Sequence, residues 1–223
     1  MPDLAPLWLS LKVAGCTTVL LLLCGTPLAW WLAHTRARIR PVIEAVTALP
    51  LVLPPTVLGF YLLITFSPTA PFGAAWLGVT GQTLTFSFTG LVIASALYSL
   101  PFMVQPLQSA FESVGKAPLE AAATLGAGRL DRFLTVATPL AARGYLTAIV
   151  LTMAHTLGEF GVVLMVGGNI PGRTQVVSIA IYEKVETIDY AAAHVLSAIL
   201  LALSFGVLLL VYTLNRRFPM RAG

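Results

Sequence analysis

The sequence predicts an all-α polytopic membrane protein with five spans, and three observations carry that prediction. Of 223 residues, 57% are hydrophobic and only 10% are charged, with a mean hydropathy of +0.88. A soluble domain of this length cannot bury so much apolar surface, because the surface of a folded chain falls too slowly with size. Apolar residues also come in runs of about 20, the length that crosses ~30 Å of hydrocarbon at ~1.5 Å per residue. Finally, no segment alternates apolar and polar residues over ~10 positions, which speaks against a transmembrane barrel.

The first run covers residues 8–33. The residues before it hold Asp3 and no early basic cluster. The run also exceeds the ~7–15 residues of a signal-peptide core, so an uncleaved span is expected. Leu23 is too bulky for a lipoprotein cleavage site ahead of Cys24. Cys16 and Cys24 read as buried small hydrophobes rather than a disulfide or metal pair. His34, Arg36, Arg38 and Arg40 follow, then Pro41.

The second run, 43–66, contains Pro50, Pro54, Pro55 and Gly59. Proline removes a backbone donor and kinks a helix, so this run is either a packing kink or a broken helix lining a pathway. On the second reading Pro54, Pro55 and Thr56 are pathway or gate candidates. Ser67 to Gln82, uncharged and rich in Pro, Gly and Thr, reads as a loop. The third run, 86–108, is interrupted at Pro101, and the fourth covers 141–166. Gly167 to Asp189 is a loop with turn chemistry in Gly168-Asn169-Ile170-Pro171-Gly172, and its later part, Val176 to Tyr182, packs as a short helix. The fifth run, 191–214, ends in Asn215-Arg216-Arg217. One extra short or sixth helix fits the same reading.

Five spans place the termini on opposite sides, and Lys and Arg decide which side is which. With the N-terminus periplasmic and the C-terminus cytoplasmic, Arg36, Arg38, Arg40, Lys116, Arg129, Arg132, Arg143, Arg216, Arg217 and Arg221 fall inside. Only Lys12, Arg173 and Lys184 then remain outside, which accounts for all 13 basic residues. No basic patch interleaves with aromatics, so nucleic acid is not an expected partner.

Residues 112–139 form the one long polar segment, and on this topology it is cytoplasmic. Ala117 to Leu125 should be a short helix: Glu120 sits near its start, alanines favour helix and Gly126 can end it. Its small side chains let a partner groove approach the backbone closely. The plainer alternative is a surface helix without a binding role.

Glu120-Ala121-Ala122, Gly126 and Thr138-Pro139-Leu140 resemble the EAA signature of ABC importer permeases, with Thr138 where that family usually has Leu. The resemblance covers residues 9–214 and implies the transmembrane domain of the type I ABC importer fold. Leu49-Pro50-Leu51-Val52-Leu53-Pro54-Pro55-Thr56-Val57-Leu58-Gly59 adds to it, as does Gly158-Glu159-Phe160-Gly161 with Gly167-Gly168-Asn169-Ile170-Pro171-Gly172. Together they resemble the sulfate/molybdate branch, nearest to molybdate permeases. The resemblance implies that 112–139 is the coupling segment, with Ala117, Glu120, Ala121, Ala122, Leu125 and Gly126 meeting a cytoplasmic ABC ATPase dimer. It also implies a second copy of the chain, a periplasmic molybdate-binding protein, and a multi-pass location in the bacterial inner membrane. The chain has no G-x-x-x-x-G-K-[ST] loop, so ATP and Mg belong to the partner ATPase and no cofactor is expected on this chain.

Thr152, His155, Thr156 and Glu159 are spaced to share one helical face within the fourth run, which adds them to the pathway or gate candidates. An ionisable group at membrane depth costs about 2.5–3.5 kcal/mol on insertion scales, so it faces protein or water. Direct ligation of a dianion by Glu159 is disfavoured, since a carboxylate repels it by ~4 kcal/mol or more at ~4 Å and an effective dielectric of ~20. Glu159 is therefore expected to be structural or part of a gate, with His155 or backbone donors as partners. No Lys or Arg lies in the middle of a run, so the passage holds its cargo weakly and selectivity resides elsewhere.

Two other classes are weighed. An intramembrane enzyme needs a catalytic set, yet H-E-x-x-H and G-x-S-x-G are absent, and His34, His155 and His194 lack metal-ligand spacing. A channel or secondary transporter has no use for the alanine-rich helix. Molybdate, tungstate and sulfate remain undistinguished as cargo.

Overall fold

A computed structural model describes residues 4–217, which leaves Asp3 and Arg221 outside the described residues, together with the side chains of Arg216 and Arg217. The described chain is all-helical. Its centre is α1 (Ala5–His34), α5 (Phe88–Val114) and α9 (Ala142–Gly158), which pack against one another. Leu21, Leu32, Met103, Val104, Leu107 and Phe111 are fully buried between them. Small residues set how closely these helices cross: a Cβ on Gly144 would sit 2.2 Å from that of Ala110. In the absence of a hydrophobic drive between helices in lipid, such close backbone approach is a main source of packing energy. The run broken by Pro101 in the sequence reading is one continuous helix through both Pro101 and Pro106. Ser87 caps its start, its Oγ accepting from the Gly90 N–H at 3.1 Å.

Two of the apolar runs are not single helices. In the second, α2 (Arg40–Ala48) leads through a 3-10 turn (Leu49–Leu51) to α3 (Pro55–Phe66), and the two halves meet at 109°. Pro54 is extended (ψ 136°) and Pro55 opens α3, the position where its missing N–H costs nothing. With 12 residues, α3 is about 18 Å long, well short of a ~30 Å bilayer core. In the fourth run, α9 ends at Gly158 and α10 (Gly161–Gly167) begins after two non-helical residues. Glu159 is extended there (φ −69°, ψ 136°), so it leaves the helical face it was expected to share with Thr152, His155 and Thr156. Ser178 Oγ donates to the Glu159 carbonyl at 2.5 Å and holds the break.

Upstream, α6 (Ala117–Thr124) is followed by α7 (Arg129–Asp131), a π-helix (Arg132–Ala137) and α8 (Thr138–Leu140). This arm meets α9 at 74°. Among the described residues three helices, α1, α5 and α12 (Tyr190–Arg217, apolar over Tyr190–Leu209), are long and apolar enough to cross a membrane. The two bent pairs bring the number to five where each is one crossing.

The stretch read as a loop contains α4 (Pro71–Thr80): Pro71 fixes the first turn, apolar helix formers follow, and Gly81 closes it in the left-handed conformation at φ +69°. The short helix expected at Val176–Tyr182 is α11 (Val177–Glu186), about one turn longer. Cys16 and Cys24 are free but exposed, on the side of α1 turned away from α5, so the expectation of burial fails.

The basic segments around Arg36, Arg40 and Lys116 meet at one end. Arg40 donates through Nε to Glu44 and through Nη2 to Glu112, both at 2.8 Å, which ties the residue 35–40 linker to the end of α5. At the other end the Val177 N–H donates to Ser10 Oγ at 2.8 Å, joining the start of α1 to α11.

Candidate functional site

The helix α6 stands at the basic end. Leu119, only 9% exposed, inserts into the core beside Leu107, Phe111 and Ala137. Trp30 meets Phe111 and Phe133 edge-on at 5.1 and 5.0 Å in the same cluster. Anchored this way, the helix turns Ala117, Glu120 and Ala121 outward, with Ala122 half-buried. Leu125 is 89% exposed just past the last turn. The Ala127 N–H donates to the Ala122 carbonyl at 3.1 Å, and Gly126 makes that reversal at φ +87°. Open space surrounds Gly126, so any other residue there would suffer only from the backbone conformation, about 1–2 kcal/mol. A flat, small-residue surface with one projecting leucine results. The anchor Leu119, the aromatic cluster and the π-helix were not singled out from the sequence; only Leu119, apolar within a polar segment, carried a readable signal.

The second region is a cleft of about 550 Å³ where the two broken runs meet, lined by Pro55, Thr56, Tyr98, His155, Gly158 and Glu159 among others. Four of the pathway candidates thus share one space. Pro54 caps α3 beside it, while Thr152 and Thr156 are buried in α9. Behind the cleft, Ser99 Oγ lies 2.9 Å from His155 Nδ1 and 3.0 Å from Thr156 Oγ1, and Thr156 Oγ1 donates to the Thr152 carbonyl at 2.9 Å. His155 stacks on Phe102 at 4.0 Å. Its Nδ1 is thereby used by Ser99, and Glu159 does not receive it. Both Glu159 oxygens are buried outside strict hydrogen-bond limits, and the one polar side chain that bears on them is Ser95 of α5.

The cleft's roof is a glycine crossing. A Cβ on Gly59 would lie 2.8 Å from Met165 Cβ, and one on Gly161 would lie 2.7 Å from Pro55 Cβ. Tyr98, Ser95 and Ser99 were missed from the sequence, although Ser95 and Ser99, four apart in an apolar run, were a legible signal. Ser99→Ala should leave His155 and Thr156 each short of a contact and cost about 1–3 kcal/mol for buried groups left unpaired. Thermal unfolding in detergent checks this, with a lowered midpoint expected.

At the opposite end, a groove of about 630 Å³ is lined by Pro171, Gln175, Glu183, Lys184 and Asp189 among others. Asn169 Nδ2 and Gln175 Nε2 both donate to Glu183 Oε2 at 2.6 Å, which fixes the Gly168–Gly172 loop against α11. Among the described residues no group of three or more His, Cys, Asp and Glu could hold a metal ion.

Residues 25–219 match the family described as binding-protein-dependent transport system inner membrane component. The chain is 56% identical over 216 residues to the molybdenum transport system permease protein ModB of Azotobacter vinelandii, covering 97% of this chain and 95% of that one. It is 36% identical to the ModB of Escherichia coli K12, covering 100% and 97%. With the sulfate transport system permease protein CysT of Escherichia coli K12 the identity is 34%, covering 88% and 71%. Among solved structures, a bacterial alginate ABC transporter in complex with its alginate pentasaccharide-bound periplasmic protein superposes with a TM-score of 0.76 at 17% identity. That match covers 97% of this chain and 79% of the other.

Proposed function

We propose, for a chain that belongs to the family of binding-protein-dependent transport system inner membrane components, that it is the membrane-spanning subunit of an ATP-driven importer and that its cargo is molybdate. The observation that carries the cargo is the 56% identity to a molybdenum permease over nearly the full length of both chains, against 34% to a sulfate permease. The geometry supports the division of labour. The chain carries no nucleotide loop, and it offers an exposed, small-residue helix where a motor subunit would dock.

On this reading α6 is the coupling helix, with Ala117, Glu120, Ala121, Leu125 and Gly126 against a cytoplasmic ABC ATPase dimer that holds ATP and Mg. The basic end is cytoplasmic on this reading, which the distribution of Lys and Arg supports. The groove beside the Gly168–Gly172 loop then faces a periplasmic molybdate-binding protein. A second copy of the chain completes the passage, which a single five-crossing subunit is too small to enclose. The cleft of Pro55, Thr56, His155 and Glu159 lies on that passage. Its walls offer hydroxyls, an imidazole and kinked backbone rather than Lys or Arg, which suits a path that must release its cargo.

Reconstitution with the ATPase and the binding protein tests this. Proteoliposomes should accumulate molybdate only with ATP, and sulfate at about tenfold excess should compete weakly, the binding protein selecting the anion. Equal uptake of sulfate would move the cargo to the sulfate branch, and uptake without an ATPase would overturn the importer reading.

A further inference from the structure

Glu159 has no role in the passage as a binding group. It is 4% exposed, and both carboxyl oxygens are enclosed without a hydrogen-bond partner. Among the described residues none of the three ion pairs involves it. Its one polar neighbour is Ser95 of α5, whose fully buried hydroxyl has no other partner. The backbone of Glu159, by contrast, is held: its carbonyl accepts from Ser178, and its N–H reaches the Thr156 carbonyl at 3.4 Å.

The residue sits in the non-helical break between α9 and α10 and lines the same cleft as Pro55 and Thr56. Gly158 beside it is unpacked on its Cβ side, so that side of the break is unobstructed. An enclosed acid with at most one hydroxyl neighbour opposes the state that encloses it. The opposition is relieved once the carboxyl reaches water or a donor, and the nearest open space is the cleft.

We infer that Glu159 is the gating residue of this cleft: its enclosed carboxyl destabilises the present arrangement of the α9–α10 break relative to one in which the cleft is wider and the carboxyl is hydrated. Two states held close in free energy are exchanged by a modest bias, and a partner's nucleotide cycle supplies one. The purpose of the gate rests on the importer reading; its existence does not.

Thiol labelling separates the two. With Cys16 and Cys24 replaced by serine, Thr56→Cys reports how open the cleft is to a membrane-impermeant reagent. Glu159→Met fills the space without a polar group, whereas Glu159→Gln keeps one. The methionine variant should raise the thermal midpoint in detergent, slow labelling at position 56 several-fold and cut ATP-driven molybdate uptake at least tenfold. The glutamine variant should label within about twofold of the parent. A lowered midpoint in the methionine variant would show the carboxyl to be a structural support and overturn the gate, as would unchanged labelling. If labelling and midpoint respond as stated but the unmutated assembly takes up no molybdate, the gate stands and the importer reading falls.

Discussion

Ala121→Trp should abolish capture of the ATPase and ATP-driven uptake while leaving the protein folded. Ala121 is exposed on α6, whose hold on the bundle is Leu119 on its other side. An indole on the outward face meets nothing in this chain, so the change in stability should stay within about 0.5 kcal/mol, or ~1–2 °C in the midpoint for a chain of this size. At the centre of a docking surface the same indole holds the partner away from the backbone. Disrupting such a centre costs at least ~2 kcal/mol, about 30-fold in affinity. Leu119→Ala should show the opposite order of events. Removing a buried leucine costs about 2–5 kcal/mol, so the midpoint falls first and docking fails because the helix has lost its anchor. Pull-down of the ATPase beside a melting curve distinguishes the pair. Undiminished capture by A121W would remove α6 from the interface.

The parts of this molecule that could be read from its sequence are those that local chemistry decides. Apolar runs located the long helices because hydrocarbon thickness sets their length, and Ala117 to Gly126 announced a short helix with a glycine stop. The breaks were legible only where proline made them. Pro54 and Pro55 marked the bend before α3. At Gly158–Gly161 the helical spacing of Thr152, His155, Thr156 and Glu159 pointed to one continuous face. What ends α9 there is tertiary: Ser178, 19 residues further on, bonds the Glu159 carbonyl, and Pro55 claims the space beside Gly161. Glycine contributes no propensity strong enough to reveal this in advance. The partner of His155 was hidden for a related reason. Ser99 lies 56 residues away, and only the α5–α9 crossing, set by Gly144 against Ala110, brings the two together.

Gly161→Val should damage the contact on which the two broken runs cross. The first atom it adds would lie 2.7 Å from Pro55 Cβ and 3.5 Å from Pro55 backbone, and proline cannot rotate out of the way. Overpacking of a well-filled contact costs about 1–3 kcal/mol, and here it acts on the crossing of the two broken runs. The midpoint should fall by about 2–12 °C at ~2–4 °C per kcal/mol for a chain of this length, and uptake should be lost with it. That result alone would not place the passage, because any failure of packing stops transport. Gly158→Trp supplies the missing arm. Gly158 is three residues away and lines the cleft, yet a Cβ there meets nothing within 4 Å. An indole at that position fills the cleft without pressing on Pro55, so the protein should melt near the parent temperature, still bind its ATPase, and carry no molybdate. Normal uptake by a folded G158W protein would mean that the cargo travels elsewhere, and the cleft would then be only the gap left where two broken helices meet.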